Sequence, residues 1–123
     1  MLEGYPQRGE VWLVPFTMPS ADSAGLKFRP AVVVSAAPAE EARGTVTLAA
    51  ISSRTEPRTR FDIFVGASSG LGRAMGLRLD SLICCAILQT FSIAVLRRRI
   101  GKVNEETQAR ISERLAEFFA LQG

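Results

Sequence analysis

At 123 residues, with an apolar share of 47% and a charged share of 22%, the chain has the size and balance of an ordinary globular protein with a core. No apolar run reaches the roughly 18–20 residues of a membrane-spanning helix; Leu82 to Leu96 comes nearest, and Gln89, Thr90 and Ser92 interrupt it. Net charge is only +3 and histidine is absent, so hydrolytic chemistry would rest on arginine, hydroxyls, carboxylates or the backbone.

Met1-Leu2-Glu3-Gly4-Tyr5-Pro6 has neither a basic start nor an apolar middle. No signal peptide is expected, and the cytoplasm is the expected compartment. Gln7-Arg8-Gly9-Glu10 leads into Val11-Trp12-Leu13-Val14-Pro15-Phe16, a first strand buried on both faces or nearly so. Thr17 to Leu26 holds Pro19, Ser20, Asp22, Ser23 and Gly25, the composition of a mobile loop. Lys27-Phe28-Arg29-Pro30 then precedes a second strand, Ala31 to Ser35. Proline has no N–H for a ladder and suits the first residue of a strand. It also pushes Arg29 into an extended conformation. A fixed guanidinium at the mouth of a buried strand suits a phosphate; a surface arginine that happens to precede a strand reads the same way.

Ala37 to Gly44 is an exposed turn, and Thr45 to Ile51 a third strand closed by Ser52-Ser53. Arg54 to Arg60 is a basic loop containing Pro57, followed by a fourth strand, Phe61 to Val65. Gly66 to Gly76, with four glycines, is a long loop or carries one short helical turn. Leu77 to Asp80 enters the fifth strand, Ser81 to Leu88. Within it Cys84-Cys85 has neither disulfide nor metal spacing, so at least one is a small core residue. Arg97 to Val103 is a short last strand. Asn104 is a good N-cap for a terminal helix, with Glu105 and Glu106 in its positive first turn. Ile111, Leu115, Phe118 and Gln122 form one stripe, with Phe119 and Leu121 beside it, to pack on the sheet. The fold class is therefore mainly β with a C-terminal helix, a small twisted, partly closed barrel in one domain over residues 1–123.

Charge is unevenly spread. From Arg43 to Lys102 ten basic residues meet only Glu56, Asp62 and Asp80, a balance of +7 against −4 elsewhere. A basic middle favours a polyanionic partner.

The order RGEVWLV, a glycine-containing loop, KFRPAVVVSA, VTLAAISS, LDSLICC, RRRIGKV and a helix resembles the MazF/PemK (Kid) family of toxin endoribonucleases, over nearly the whole chain from Arg8. The resemblance implies an SH3-like barrel that forms a homodimer and cleaves single-stranded mRNA at short sequences. It implies a cognate antitoxin whose extended acidic tail occupies the RNA groove. It further implies no metal, no cofactor and no membrane association, with 2′,3′-cyclic phosphate and 5′-hydroxyl products. The family's RP arginine falls on Arg29, and its strand-end hydroxyl, usually threonine, on Ser52. A forked guanidinium can meet two non-bridging oxygens of a phosphorane-like transition state. With no histidine, Arg29 would also have to assist proton transfer, for which a guanidinium is poorly suited. Ser52 would hold a phosphate oxygen, or cap the local backbone at its strand end.

RNA binding would rest on charge and stacking. Lys27, Arg54, Arg58 and Arg60 flank the expected site and Ser53 adjoins it, while Phe16 and Phe28 read either as base-stacking platforms or as core. Arg97-Arg98-Arg99 reads as a solvated strand face, a dimer edge or the rim of the groove. Two departures from the family stand out. Many relatives carry an acid and a glutamine–arginine pair in the fifth strand, where this chain has Ala86-Ile87-Leu88-Gln89. The first loop has Asp22-Ser23-Ala24-Gly25 in place of Glu-Gln-x-Gly. Such a site is slower, uses another acid such as Asp80, or is inactive. The alternatives are a gyrase-poisoning toxin resembling the CcdB proteins, and a member that binds RNA or antitoxin without cutting.

Overall fold

Alternation along six strands sends side chains into two cores, one on each face of a single curled sheet. The computed structural model describes residues 5–17 and 27–121. The strands are β1 (Glu10–Val14), β2 (Arg29–Val33), β3 (Thr45–Ser52), β4 (Asp62–Val65), β5 (Ser81–Ser92) and β6 (Arg98–Lys102). Helix α1 (Gly70–Met75) lies between β4 and β5, a single 3-10 turn (Ile93–Val95) follows β5, and α2 (Glu105–Phe118) follows β6. The expected loop from Met18 to Leu26 and the stripe residue Gln122 lie outside the described residues.

The ladder order is β4-β5-β3-β2-β1-β6, every pair antiparallel. On one face Val11, Val32, Ala49, Ile51 and Ile83 meet Met75, Val103 and Ile111. On the other Val14, Ala31, Val33, Leu48 and Leu82 meet Phe16, Ala39 and Phe91. Burial on both faces is why the strands read as nearly unbroken apolar runs. The curl is concentrated in β5. Ala49 pairs with Leu88 but Ala50 with Cys84, so Cys85 to Ile87 bulge out of the ladder and bend the strand. Both cysteines are free and buried.

Several boundaries differ from expectation. β2 begins at Arg29 and stops at Val33: Pro30 faces Leu13, Arg29 faces Val14, and the N–H groups of Val34 and Ser35 both turn to the Thr47 carbonyl. β5 runs on past Leu88 to Ser92, because Gln89 and Thr90 pair with Leu48 and Thr47, and the Thr47 and Thr90 hydroxyls meet at 2.7 Å. The glycine-rich segment folds into α1. Ser69 caps it through the Gly72 N–H at 2.9 Å, and Gly76, in the left-handed region at φ 76°, closes it. Leu71 and Met75, one turn apart, anchor α1 on the first core.

Asn104 caps α2, its Oδ1 accepting the Thr107 N–H at 2.8 Å. Ile111 is buried and Leu115 packs against the first core. The far end of the stripe does not reach the sheet. Phe118 and Phe119 stay 40% and 53% exposed, and the Phe118 ring stands edge-on to Phe61, with centroids 5.4 Å apart.

Candidate functional site

Where β1, β2 and β3 end beside β6, the first core opens into a cleft of about 410 Å3. Leu13 and Pro30 face each other on its wall, and Ile51 and Leu77 close it toward the core. The segment after α1, Gly76 to Leu79, forms the opposite wall. That segment is pinned at both ends: Gly76 donates to the Arg73 carbonyl at 3.1 Å, and the buried Ser81 hydroxyl donates to the Leu79 carbonyl at 2.8 Å.

Three guanidinium-bearing residues from different parts of the chain line this cleft: Arg29 from β2, Arg78 from the segment after α1 and Arg98 from β6. Ser53 and Ser81 add hydroxyls, and among the described residues no carboxylate contributes to the lining. Among the described residues none of the three arginines makes a salt bridge. Arginines elsewhere do: Arg58 with Glu56 at 3.3 Å, Arg60 with Glu117 at 3.4 Å and Arg99 with Glu10 at 3.0 Å. Unneutralised cations in a concave, partly apolar site concentrate positive potential and raise the local concentration of anions. A shallower cavity of about 440 Å3 adjoins the cleft, sharing Ser53, Arg78 and Leu79 and adding Thr55, Ala67 and Asp80. Asp80 Oδ1 accepts the Ala67 N–H at 2.8 Å.

Of the residues expected from the sequence, Arg29 and Ser53 meet in the cleft. The β2–β3 ladder ends at Ala31 opposite Ala50, with Arg29 and Ser52 each two residues beyond that last pair. Ser52 itself does not line the cleft; its Oγ accepts the Arg54 N–H at 3.1 Å, the local capping role. Lys27 and Phe28 are exposed just before β2, with the Arg97 guanidinium 4.7 Å from the Phe28 ring centroid. Arg54 is exposed beyond the end of β3. Arg58 and Arg60 are not brought to the cleft: each lies 4.6 Å from a ring centroid, Phe64 and Phe61 respectively, besides its ion pair.

Phe16 requires correction as a stacking platform. It is 4% exposed and packs 5.7 Å from Phe91 in the second core, leaving no face for a base. Ala86 and Ile87 fall in the β5 bulge, Gln89 faces Leu48, and none of them lines the cleft. Of the Arg97-Arg98-Arg99 run, Arg98 stands at the cleft, the groove-rim reading of that run, while Arg78 carries no sequence signal of its own. Arg78 sits in a segment without periodicity. Which of Arg97, Arg98 and Arg99 faces the cleft depends on the shift in the β1–β6 register between Val11 and Trp12, which no pattern announces.

Comparison with known proteins agrees with this architecture. A family model described as the PemK-like, MazF-like toxin of type II toxin–antitoxin systems matches residues 7–119. No curated protein matches the chain by sequence. Among solved structures, the Mycobacterium tuberculosis toxin MazF-mt6 superposes with a TM-score of 0.70 at 19% identity, covering 93% of this chain and 99% of its own. An endoribonuclease in complex with its cognate antitoxin, from a mycobacterial species, gives 0.68 at 19% identity, covering 96% and 98%. MazF from Deinococcus radiodurans gives 0.68 at 18%, covering 94% and 97%. At such identities the structures establish the fold, and the family model, spanning almost the whole chain, establishes kinship: this chain belongs to the PemK-like, MazF-like toxins of type II toxin–antitoxin systems.

Proposed function

We propose that the chain is a sequence-specific endoribonuclease that cuts single-stranded mRNA by transesterification at the Arg29 cleft. The observation that carries this is Arg29 held at the start of β2 in a cleft with two further arginines, Ser53 and, among the described residues, no carboxylate. The ribose 2′-oxygen attacks the adjacent phosphorus as its proton passes to solvent. The bond to the 5′-oxygen breaks, and that oxygen takes up a proton. The products are a 2′,3′-cyclic phosphate and a 5′-hydroxyl. Negative charge gathers on the non-bridging oxygens in between, where a forked guanidinium stabilises it more than it stabilises the ground state. Arg29 takes that part, and a strand-end hydroxyl, Ser53 in the cleft or Ser52 at the end of β3, holds a phosphate oxygen. Arg98 lines the same cleft, Lys27 and Phe28 lead directly into Arg29, and Arg54 follows Ser53, so these extend the contact with RNA.

The same positive cleft suits the acidic tail of a cognate antitoxin, which would exclude RNA by occupying it, and the active form is a homodimer. The relatives include an endoribonuclease bound to its antitoxin, which supports this partner for the present chain.

The test is purified protein on a long single-stranded RNA with a chelator present. We expect a few discrete fragments ending in cyclic phosphate. Arg29→Ala is expected to slow cutting roughly 100- to 1,000-fold, the effect of removing one donor to a developing oxyanion, with circular dichroism unchanged. Cutting by Arg29→Ala at the wild-type rate overturns the mechanism. The changed fifth strand, with Ala86, Ile87 and Gln89, favours a second reading in which RNA is bound without being cut. Stable RNA binding by the wild type with no fragments decides for it.

A further inference from the structure

We infer that the shallow cavity beside the cleft seats one nucleobase, and that Asp80 and Arg78 together make it a guanine site. The inference rests on the reading of the cleft as an RNA site. The two cavities share Ser53, Arg78 and Leu79, so a strand with its phosphate against Arg29 delivers a neighbouring base to the second cavity. Among the described residues Asp80 is the cavity's one carboxylate, and it is oriented: the Ala67 N–H holds Oδ1 at 2.8 Å. Among the described residues Oδ2 has no hydrogen-bond partner, and Asp80 and Arg78 form no salt bridge with each other. The acceptor and the donor therefore stand two residues apart without neutralising one another. Leu79, between them in sequence, is 63% exposed and offers an apolar surface to the face of a ring.

An unpaired base shows all its edges to a protein. Guanine places two N–H donors side by side, at N1 and N2, which a carboxylate can accept together. It also places O6 and N7 in line for a forked guanidinium, a preferred pairing of arginine with guanine. Cytosine meets the same pair with an amine and a carbonyl, but with fewer hydrogen bonds; adenine and uracil satisfy only one partner well.

The probes are labelled single-stranded 2′-O-methyl decamers of uridine carrying one central G, A, C or U, which the chain cannot cut. Binding is read by fluorescence anisotropy, in parallel with sequencing of fragment ends from natural RNA. The wild type is expected to prefer the G decamer roughly 5- to 150-fold, and cuts are expected to cluster at a fixed distance from guanine. Asp80→Asn keeps an oxygen for the Ala67 N–H but puts an amine where a carboxylate oxygen stood, donor against donor. It is expected to abolish the guanine preference while leaving the U decamer within about twofold. Arg78→Lys keeps the charge and loses the fork, and should lower the preference with Asp80 intact.

Equal binding of all four decamers by the wild type overturns the guanine site and leaves RNA binding standing; failure to bind any overturns both. A preference for cytosine overturns the assignment of the base. Asp80→Asn that stops cutting yet keeps the guanine preference puts the carboxylate in the chemistry instead, and also overturns the inference.

Discussion

β6 meets the end of α1 at Gly101, and the approach leaves no room for a side chain. A Cβ at this position would stand 2.2 Å from the Ala74 carbonyl oxygen, 2.5 Å from the Met75 carbonyl carbon and 2.7 Å from the Met75 Cα. All three are backbone atoms, so no rotamer change relieves the clash. Ordinary contact begins at 3.4 Å, so Gly101→Ala forces α1 to withdraw by more than about 1 Å, an overpacking of the kind that costs about 1–3 kcal/mol. Withdrawal also loosens Met75, fully buried in the first core, which places the cost near the upper end, about 3 kcal/mol. In urea, with a slope of about 1–3 kcal/mol/M, the unfolding midpoint should fall by about 1–3 M. Because Gly76 to Leu79 follows α1 directly and walls the cleft, cutting should weaken even where the variant remains folded. Gly70→Ala is the control: nothing lies within 4 Å of its Cβ, it opens α1, and alanine there is expected to be neutral or to stabilise by up to about 1 kcal/mol. A Gly101→Ala midpoint matching the wild type refutes the claimed apposition and removes the link between α1 and the cleft.

Two further predictions concern the scaffold. Asn104→Ala removes the acceptor for the Thr107 N–H and should cost about 1 kcal/mol, read as a shift in the urea midpoint. Burial, with Asp62 adding to it, pushes the Cys84 thiol up to about 12, and burial pushes Cys85 up to about 11. Both should resist iodoacetamide at pH 8 until the protein is unfolded. Since both folded-state values lie above the ordinary 9.0, the stability linked to these thiols is complete below pH 9 and lost as pH rises toward 11 and 12. The Cys84→Ala, Cys85→Ala double variant should therefore show a shallower alkaline fall in urea midpoint than the wild type.

The parts of the fold legible in the sequence were those with a local physical cause. Burial on both faces left Val11 to Val14, Ala31 to Val33 and Val46 to Ile51 as short apolar runs, and Asn104 with two following glutamates announced α2. α1 was only half legible. Its four neighbouring glycines read as loop, and the Leu71–Met75 pair that anchors it matters only once β6 offers Gly101 to pack against. The end of β5 is not legible, because Gln89 and Thr90 look like a polar stop, while their ladder with Leu48 and Thr47 carries the strand onward. Arg29 could be singled out since Pro30 constrains it. Arg78 and Arg98 could not, because they reach the cleft through a capped helix and a shifted strand register, both consequences of tertiary packing.

This division also bears on how the chain departs from its relatives. The acid and the glutamine–arginine pair that the resemblance implies for the fifth strand would fall at Ala86, Ile87 and Gln89, in and just after the bulge that bends the sheet, and Ile87 packs against the second core. The cationic cleft lies over the first core and takes its arginines from β2, β6 and the segment after α1, none from that half of β5. The residues at these positions therefore leave the cleft arginines, without a salt bridge among the described residues, in place and act elsewhere, on the bend and on packing. Charge stabilisation depends on where cations stand relative to the phosphate, not on which strand supplies them. On the proposed reading a chain can thus lack the fifth-strand set and keep charge stabilisation, with the guanidinium at the head of β2 sharing its cleft with one from β6 and one from the segment after α1.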